Sequence, residues 1–210
     1  MQTQLLDIRN KSELMIAIDL LNNEHPIAFP TETVFGIGAD IYSIKAAAAI
    51  YDLKHREAKK PLSAHISSIE MSEAIIEPQQ ELFYKLADRF LPGALAIIVK
   101  KKRNIISDEI SSGMDTISLR FPDDDTCLNL IREYGKPLAA TSANISGGRS
   151  LVNSDEVFGE FAGKLPAIII GESKYKQEST IISLAQDEPK ILRQGVIPAE
   201  TIMEFISKNC

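Results

Sequence analysis

The feature that most constrains the fold is an alternation running the length of the chain, in which short apolar runs take turns with stripes of helical spacing. Leu14, Ala17, Ile18 and Leu21 stand at i, i+3, i+4 and i+7, which predicts an amphipathic helix over residues 11–23, capped by Asn10 or Ser12. Pro26–Pro30 is then a predicted strand. It is followed by a loop, Phe29–Asp40, that packs hydroxyls, a carboxylate and two glycines together. Ser43 caps a second helix through the run Ala46–Tyr51, and Leu62–Ile66 is a strand. A brief helix over Ile69–Ile76 precedes a longer one over Gln79–Leu91, which Pro92-Gly93 stops. Leu95–Lys100 is a strand trailed by the basic run Lys100–Arg103, read as a solvated loop.

Thr116–Phe121 alternates strictly. Ile117, Leu119 and Phe121 face one way, and Thr116, Ser118 and Arg120 the other. Such a strand lays its apolar side on helices and offers hydroxyls and a guanidinium to whatever lies opposite. Asp124 or Asp125 caps a helix through Tyr134, Pro137–Thr141 is a buried strand, and Asp155–Phe161 a short helix. Ala167–Ile170, Ser179–Leu184 and Ile191–Arg193 are further strands, and Pro198 opens a terminal helix through Ser207. With no repeat or linker between them, these elements predict one α/β domain over residues 1–210. Its sheet is twisted, mixed parallel and antiparallel, and flanked by helices.

Charge narrows the function classes. The 210 residues carry a net charge of −6, which argues against nucleic-acid binding by the whole surface and leaves room for a local, concave basic cavity. Cys127 and Cys210 have no paired spacing, so neither a zinc site nor a disulfide framework is expected. The start, MQTQLLDIRN, lacks a basic and then apolar signal pattern, and no run is long enough to span a bilayer. A cytoplasmic address without membrane contact is the expectation.

Five cations, Lys54, Arg56, Lys60, Arg120 and Arg193, stand near strand ends of an acidic chain. Together they suit a polyanion such as a nucleotide triphosphate, with arginines giving bidentate contacts. Hydroxyls and amides in Thr31-Glu32-Thr33, Thr116-Ser118, Ser142-Asn144-Ser146 and Ser179-Thr180 suit a small polar molecule. A nucleophile beside a base, an HExxH pair and a Walker-type GxxxxGK[ST] are all missing from the sequence. The pattern therefore points to a reaction run by positioning and charge stabilisation, with no nucleophilic residue.

The segments PTETVFGIGAD, KHREAKKPLSAHI, TISLRFP, PLAATSANISGG, the ST of ESTII and ILRQG occur in this order. Together they resemble the YrdC/Sua5 family, the threonylcarbamoyl-AMP synthases of transfer-RNA modification. The resemblance covers about residues 10–206 and is closest to the short form without the C-terminal Sua5 domain. It implies that L-threonine, bicarbonate and ATP are joined into threonylcarbamoyl-AMP with release of pyrophosphate. A transfer complex would then pass the group to adenosine 37 of transfer RNA. By similarity Thr33, His65, Arg120, Ala140 and Ser179 hold threonine, with Arg120 on its carboxylate. Arg56, Lys60, Thr116, Ser142, Asn144, Ser150 and Arg193 hold ATP, and Lys54 lines the same cavity. Mg²⁺ would ride on the nucleotide phosphates without direct protein ligands. The alternative implied by the family is a double-stranded RNA-binding or ribosome-maturation module of the same fold, and direct contact with transfer RNA or double-stranded RNA is left open as a partner. A third is a domain adenylating carbamoyl phosphate. The chain departs from the family pattern at Phe35 (usually Tyr), at Ala94 and Ala96 in place of a PGPxT segment, at Ser183 (often Asp) and at Gln194 (usually Pro).

Overall fold

A computed structural model of the chain, describing residues 2–57 and 59–209, bears out the mixed α/β reading. The first half runs β1 (Gln4–Leu6), α1 (Lys11–Asn22), β2 (Ile27–Phe29), β3 (Gly36–Asp40), α2 (Ile44–Lys54), β4 (Ser63–His65), α3 (Ile69–Glu73), α4 (Glu81–Phe90) and β5 (Leu95–Lys100). The second half runs α5 (Asp108–Ser111), β6 (Thr116–Arg120), α6 (Asp125–Tyr134), β7 (Leu138–Ser142), α7 (Ser154–Phe161), β8 (Ala167–Ile169), β9 (Thr180–Ser183), β10 (Lys190–Arg193) and α8 (Ala199–Asn209). The strands form one sheet in the order β1-β8-β2-β3-β7-β4-β6-β5-β9-β10. Pairings β1–β8, β2–β8, β4–β6 and β5–β9 are parallel; β2–β3, β3–β7, β4–β7, β5–β6 and β9–β10 are antiparallel.

Helix starts follow short polar side chains. Asn10, Ser43 and Asp124 accept from the backbone N–H of Ser12, Ala46 and Cys127, which satisfies donors the first helical turn leaves unpaired. Gly135 ends α6 in the left-handed region at φ 78°, where a Cβ would be strained.

Three elements differ from expectation. β1 joins the sheet edge beside β8, and α5 forms a single turn, neither of which the pattern of apolar residues indicates. The stretch expected as a loop as far as Asp40 turns at residues 31–35 and continues as β3, antiparallel to β2. Gly36 and Gly38 are absent from the positive-φ residues, so their role is space. A Cβ on Gly38 would lie 2.9 Å from the Phe29 ring and 3.0 Å from the Ala140 methyl, and one on Gly36 would lie 3.0 Å from the same ring. The glycines let an aromatic ring lie flat on the strand beside its own.

The two sheet faces divide the core. Ile37, Ala64, Ile97, Leu119 and Ala139 point to one side, packing with α2, α4 and α8 residues such as Ile50, Phe83 and Ile202. On the other side Ile27, Phe29, Leu138 and Ala140 pack beneath α1 and α6 through Leu14, Ile18, Leu130 and Ile131. Further along that second face, over β4, β6, β5 and β9, the helices give way to a cavity.

Candidate active site

The cavity, of about 480 Å³, has the sheet itself as its floor. Register across the strands sets two rows of side chains. Ser63, Ser118 and Ile98 form one, and His65, Arg120, Ala96 and Ile181 the next. The alternation expected at Thr116–Phe121 accounts for β6: Ile117 and Leu119 lie in the core on one side, while Ser118 and Arg120 face the cavity on the other. The turn after β2 supplies Thr31 and Thr33 as one wall. The chain after α2 supplies Arg56, Lys59 and Lys60 as another. The segment entering β9 brings Glu178 and Ser179, and β10 brings Arg193.

Arg120 is the most constrained group. Its Nη1 donates to the carbonyls of Gly93, at 2.5 Å, and Leu95, at 3.0 Å; its Nη2 donates to Glu32 Oε1 at 2.8 Å and Thr33 Oγ1 at 3.3 Å. Four of a guanidinium's five N–H groups are thereby engaged. Arg120 therefore fixes the turn that carries Thr33 as much as it faces a ligand. Glu32, read in sequence as a turn-shaping residue, is 1% exposed and is the buried counter-charge of Arg120. Thr31 does shape the turn, donating to Val34 O at 2.6 Å and accepting from Thr33 N.

His65 sits edge-on to Phe29, with ring centroids 5.9 Å apart. Burial, with the neighbouring Arg120 charge second, holds its pKa down at about 3, so the imidazole is neutral. Its Nδ1 is buried without a protein partner, as is the Ser118 hydroxyl beside it in the floor. Two unpaired polar atoms in one cavity floor are what a polar ligand would satisfy.

The cationic rim is braced by main chain. Arg56 donates to the carbonyls of Lys60 and Pro61, both at 2.9 Å, and burial lowers its pKa. Across the cavity Arg193 donates to Ser179 O and, from Nη1, to Glu178 Oε2 at 2.5 Å. Glu178, unremarked in the sequence because only the adjacent Ser-Thr pair carries the resemblance, is the one carboxylate among the described residues that line the cavity.

Of the residues expected to hold threonine, Thr33, His65, Arg120, Ala140 and Ser179 all line this cavity. Of those expected on ATP, Arg56, Lys60, Ser142 and Arg193 do. Four expected residues stand elsewhere. Thr116 lies two residues beyond Ser118 on the same strand face, opposite Lys100, and outside the lining. Ser150 reaches the site only through Glu178, to which its hydroxyl donates at 2.9 Å. Lys54 is 1% exposed, and its ammonium lies under the floor, donating to Ser142 O, Asn144 O and Asn144 Oδ1. Asn144 in turn accepts from the Ser142 hydroxyl and donates to the Ile145 and Gly148 carbonyls. Lys54 and Asn144 thus tie β7 and the loop after it to α2 from below; the expectation that they line the cavity is corrected. At the departures from the family pattern, Phe35 and Ala96 line the cavity, and Ser183 pairs with Ile98 and Lys190 at its margin.

Comparison with known proteins gives one consistent set of relatives. The family model Sua5/YciO/YrdC, described as "Telomere recombination", matches residues 19–195. The threonylcarbamoyl-AMP synthase of Bacillus subtilis is 38% identical over 94% of this chain and 57% of its own length. That of Pyrococcus abyssi is 36% identical over 98% of this chain and 62% of its own. The crystal structure of P. abyssi Sua5 complexed with L-threonine superposes with a TM-score of 0.90, at 37% identity, over 94% of this chain and 58% of that one. The chain therefore spans about three-fifths of the length of the relatives it matches. Among the described residues no helix is long and apolar enough to cross a membrane.

Proposed function

The chain belongs to the Sua5/YciO/YrdC family, and on that premise we propose that it makes threonylcarbamoyl-AMP from L-threonine, bicarbonate and ATP. The observation that carries the reading is one cavity whose floor and rim differ chemically. The Thr33–His65–Arg120 floor suits an amino acid, and the Arg56, Lys60 and Arg193 rim suits a triphosphate. The P. abyssi relative described as complexed with L-threonine supports the first assignment.

In the proposed reaction the threonine amine and bicarbonate combine to N-carboxythreonine with loss of water. The new carboxylate oxygen attacks the α-phosphorus of ATP, and the bond to the β-phosphate oxygen breaks, so that pyrophosphate leaves. Two anions must meet for this nucleotidyl transfer, and the clustered cations offset their repulsion. His65, neutral with a pKa of about 3, is too weak a base to take the amine's proton; its role is to hold the amino acid through the unpaired Nδ1. Arg120 keeps Thr33 in place and presents positive charge at the floor. Arg56, Lys60, Ser142 and Arg193 hold the nucleotide; a Mg²⁺ arriving with it would supply further charge neutralisation and would need no direct protein ligand. Thr116, Ser150, Lys54 and Asn144 act from outside the lining. The product would pass to a threonylcarbamoyl-transfer complex acting on transfer RNA. The double-stranded RNA reading gains no support from the relatives, whose names are those of synthases.

The test is incubation of the protein with ATP, bicarbonate and labelled L-threonine, followed by detection of pyrophosphate and of a labelled AMP adduct. Pyrophosphate release that does not depend on threonine would sink the proposal. Lys60→Ala should raise the KM for ATP about tenfold, the loss of one charge-assisted phosphate contact of about 1.4 kcal/mol, while sparing threonine binding.

A further inference from the structure

The cavity's carboxylate has no place in the proposed chemistry, yet it sits on two groups expected to meet phosphate. Glu178 Oε2 lies 2.5 Å from Arg193 Nη1, and its Oε1 accepts the Ser150 hydroxyl at 2.9 Å. Its charge is also felt by Lys54 beneath the floor. We propose that Glu178 is a built-in counter-anion: held in place by the Ser150 hydroxyl, it occupies on Arg193 the position that a phosphate oxygen takes when a nucleotide binds, and it thereby weakens the hold on released pyrophosphate. The inference rests on the ATP reading of the same cavity.

Three features make Glu178 displaceable without disturbing its surroundings. Its main chain is fixed, because its carbonyl accepts from Val196 N at 3.0 Å. Gly195 approaches so closely that a Cβ there would stand 2.1 Å from that carbonyl oxygen. The side chain, by contrast, is 40% exposed and its Arg193 partner 41%, so the carboxylate can swing into water. An exposed pair of this kind contributes little to stability and separates readily when a stronger anion arrives. A pyrophosphate then gains Arg193 but keeps a like charge nearby. That residual repulsion loosens the product.

The experiment is calorimetric titration of inorganic pyrophosphate, with EDTA present, into the full chain and its Glu178→Gln and Glu178→Asp variants, each first checked for an unchanged melting temperature. Glu178→Gln should bind pyrophosphate about tenfold or more tightly, because a like charge within several ångströms is gone. The gain should shrink in 0.5 M salt. Glu178→Asp, which keeps the charge, should stay within about threefold of the parent. Equal or weaker binding by Glu178→Gln overturns the proposal, since the carboxylate would then be inert or a brace for Arg193. So does absence of binding by all three proteins, or a loss in Glu178→Gln seen only when Mg²⁺ replaces EDTA, which would make it a metal ligand. The titration contains no threonine, so its failure leaves the synthase assay untouched. A failed synthase assay equally leaves the anion-binding result standing.

Discussion

One face of one sheet is used in two ways. Over β2 and the adjoining parts of β3 and β7 it is covered by α1 and α6, and its outward positions are Ile27, Phe29, Gly38 and Leu138, with Gly36 and Ala140 on the border with the cavity. Over β4, β6 and β5 the same face, in continuous register, carries Ser63, His65, Ser118, Arg120, Ala96 and Ile98 and forms the cavity floor. The backbone geometry is alike in both halves; only the side chains at alternate positions change. The covered half gains stability by removing apolar surface from water. The open half leaves polar atoms short of partners and cations braced by carbonyls, which costs stability and prepares a site. Arg120 and Glu32 join the halves, because the turn carrying Glu32 leaves the covered strand β2 and the guanidinium rises from the open strand β6.

The largest expected effect is at that join. Arg120→Met leaves the Glu32 carboxylate buried with no counter-charge, and should destabilise the fold by about 3–5 kcal/mol in urea unfolding. Adding Glu32→Gln to it should recover part of the loss while threonine-dependent turnover stays absent. If the double variant is no more stable than the single, the ion pair is not what joins the halves. Next in size, Leu130→Ala on the helix covering the closed half should cost about 2–5 kcal/mol, whereas Ile98→Ala in the open floor should cost under about 1 kcal/mol and change ligand affinity instead. Comparable losses would mean the floor is as much core as the covered half. Gly38→Ala tests the seam: its methyl would press on Phe29, Ala140 and the Ala139 carbonyl within 3.1 Å, for an expected loss of about 1–3 kcal/mol.

What the sequence disclosed follows from how local each signal is. The facing of Thr116–Arg120 was legible, since period-two alternation is written in consecutive residues, but alternation does not say where the cavity ends, and it takes Ser118 and Arg120 and leaves Thr116 outside. The Phe29–Asp40 stretch was legible as a cavity wall at Thr33 and misread beyond it. Glycines are read as turn signals, and nothing local reveals that Phe29 needs their missing side chains. Glu32 was placed in the turn and not in an ion pair because its partner lies 88 residues away. β1 escaped because three residues with a single buried side chain carry no periodicity, and its edge pairing with β8 comes from tertiary structure. Lys54 was read as a cavity cation from its residue type, while three oxygen acceptors gathered from β7 and its loop bury it below the floor.

Lys54 gives the most exacting test of the contrast, because it is a charge kept on the buried side of the open half. Burial, with the Arg56 charge second, lowers its pKa from the ordinary 10.5 to about 7. The folded protein therefore releases this proton before the unfolded chain does, and between pH 7 and 10.5 the unfolded state binds more of it. Stability due to this group must then rise with pH across that window and be flat below it, with a slope of at most about 1.4 kcal/mol per pH unit. Urea midpoints of the parent and of Lys54→Met, measured from pH 6 to 9, isolate the term from other titrating groups. The gap between the two proteins should move in the parent's favour above pH 7. A gap that stays constant would mean that the Ser142 and Asn144 oxygens hold the ammonium as firmly as water does, and that the floor has a fully satisfied charge beneath it.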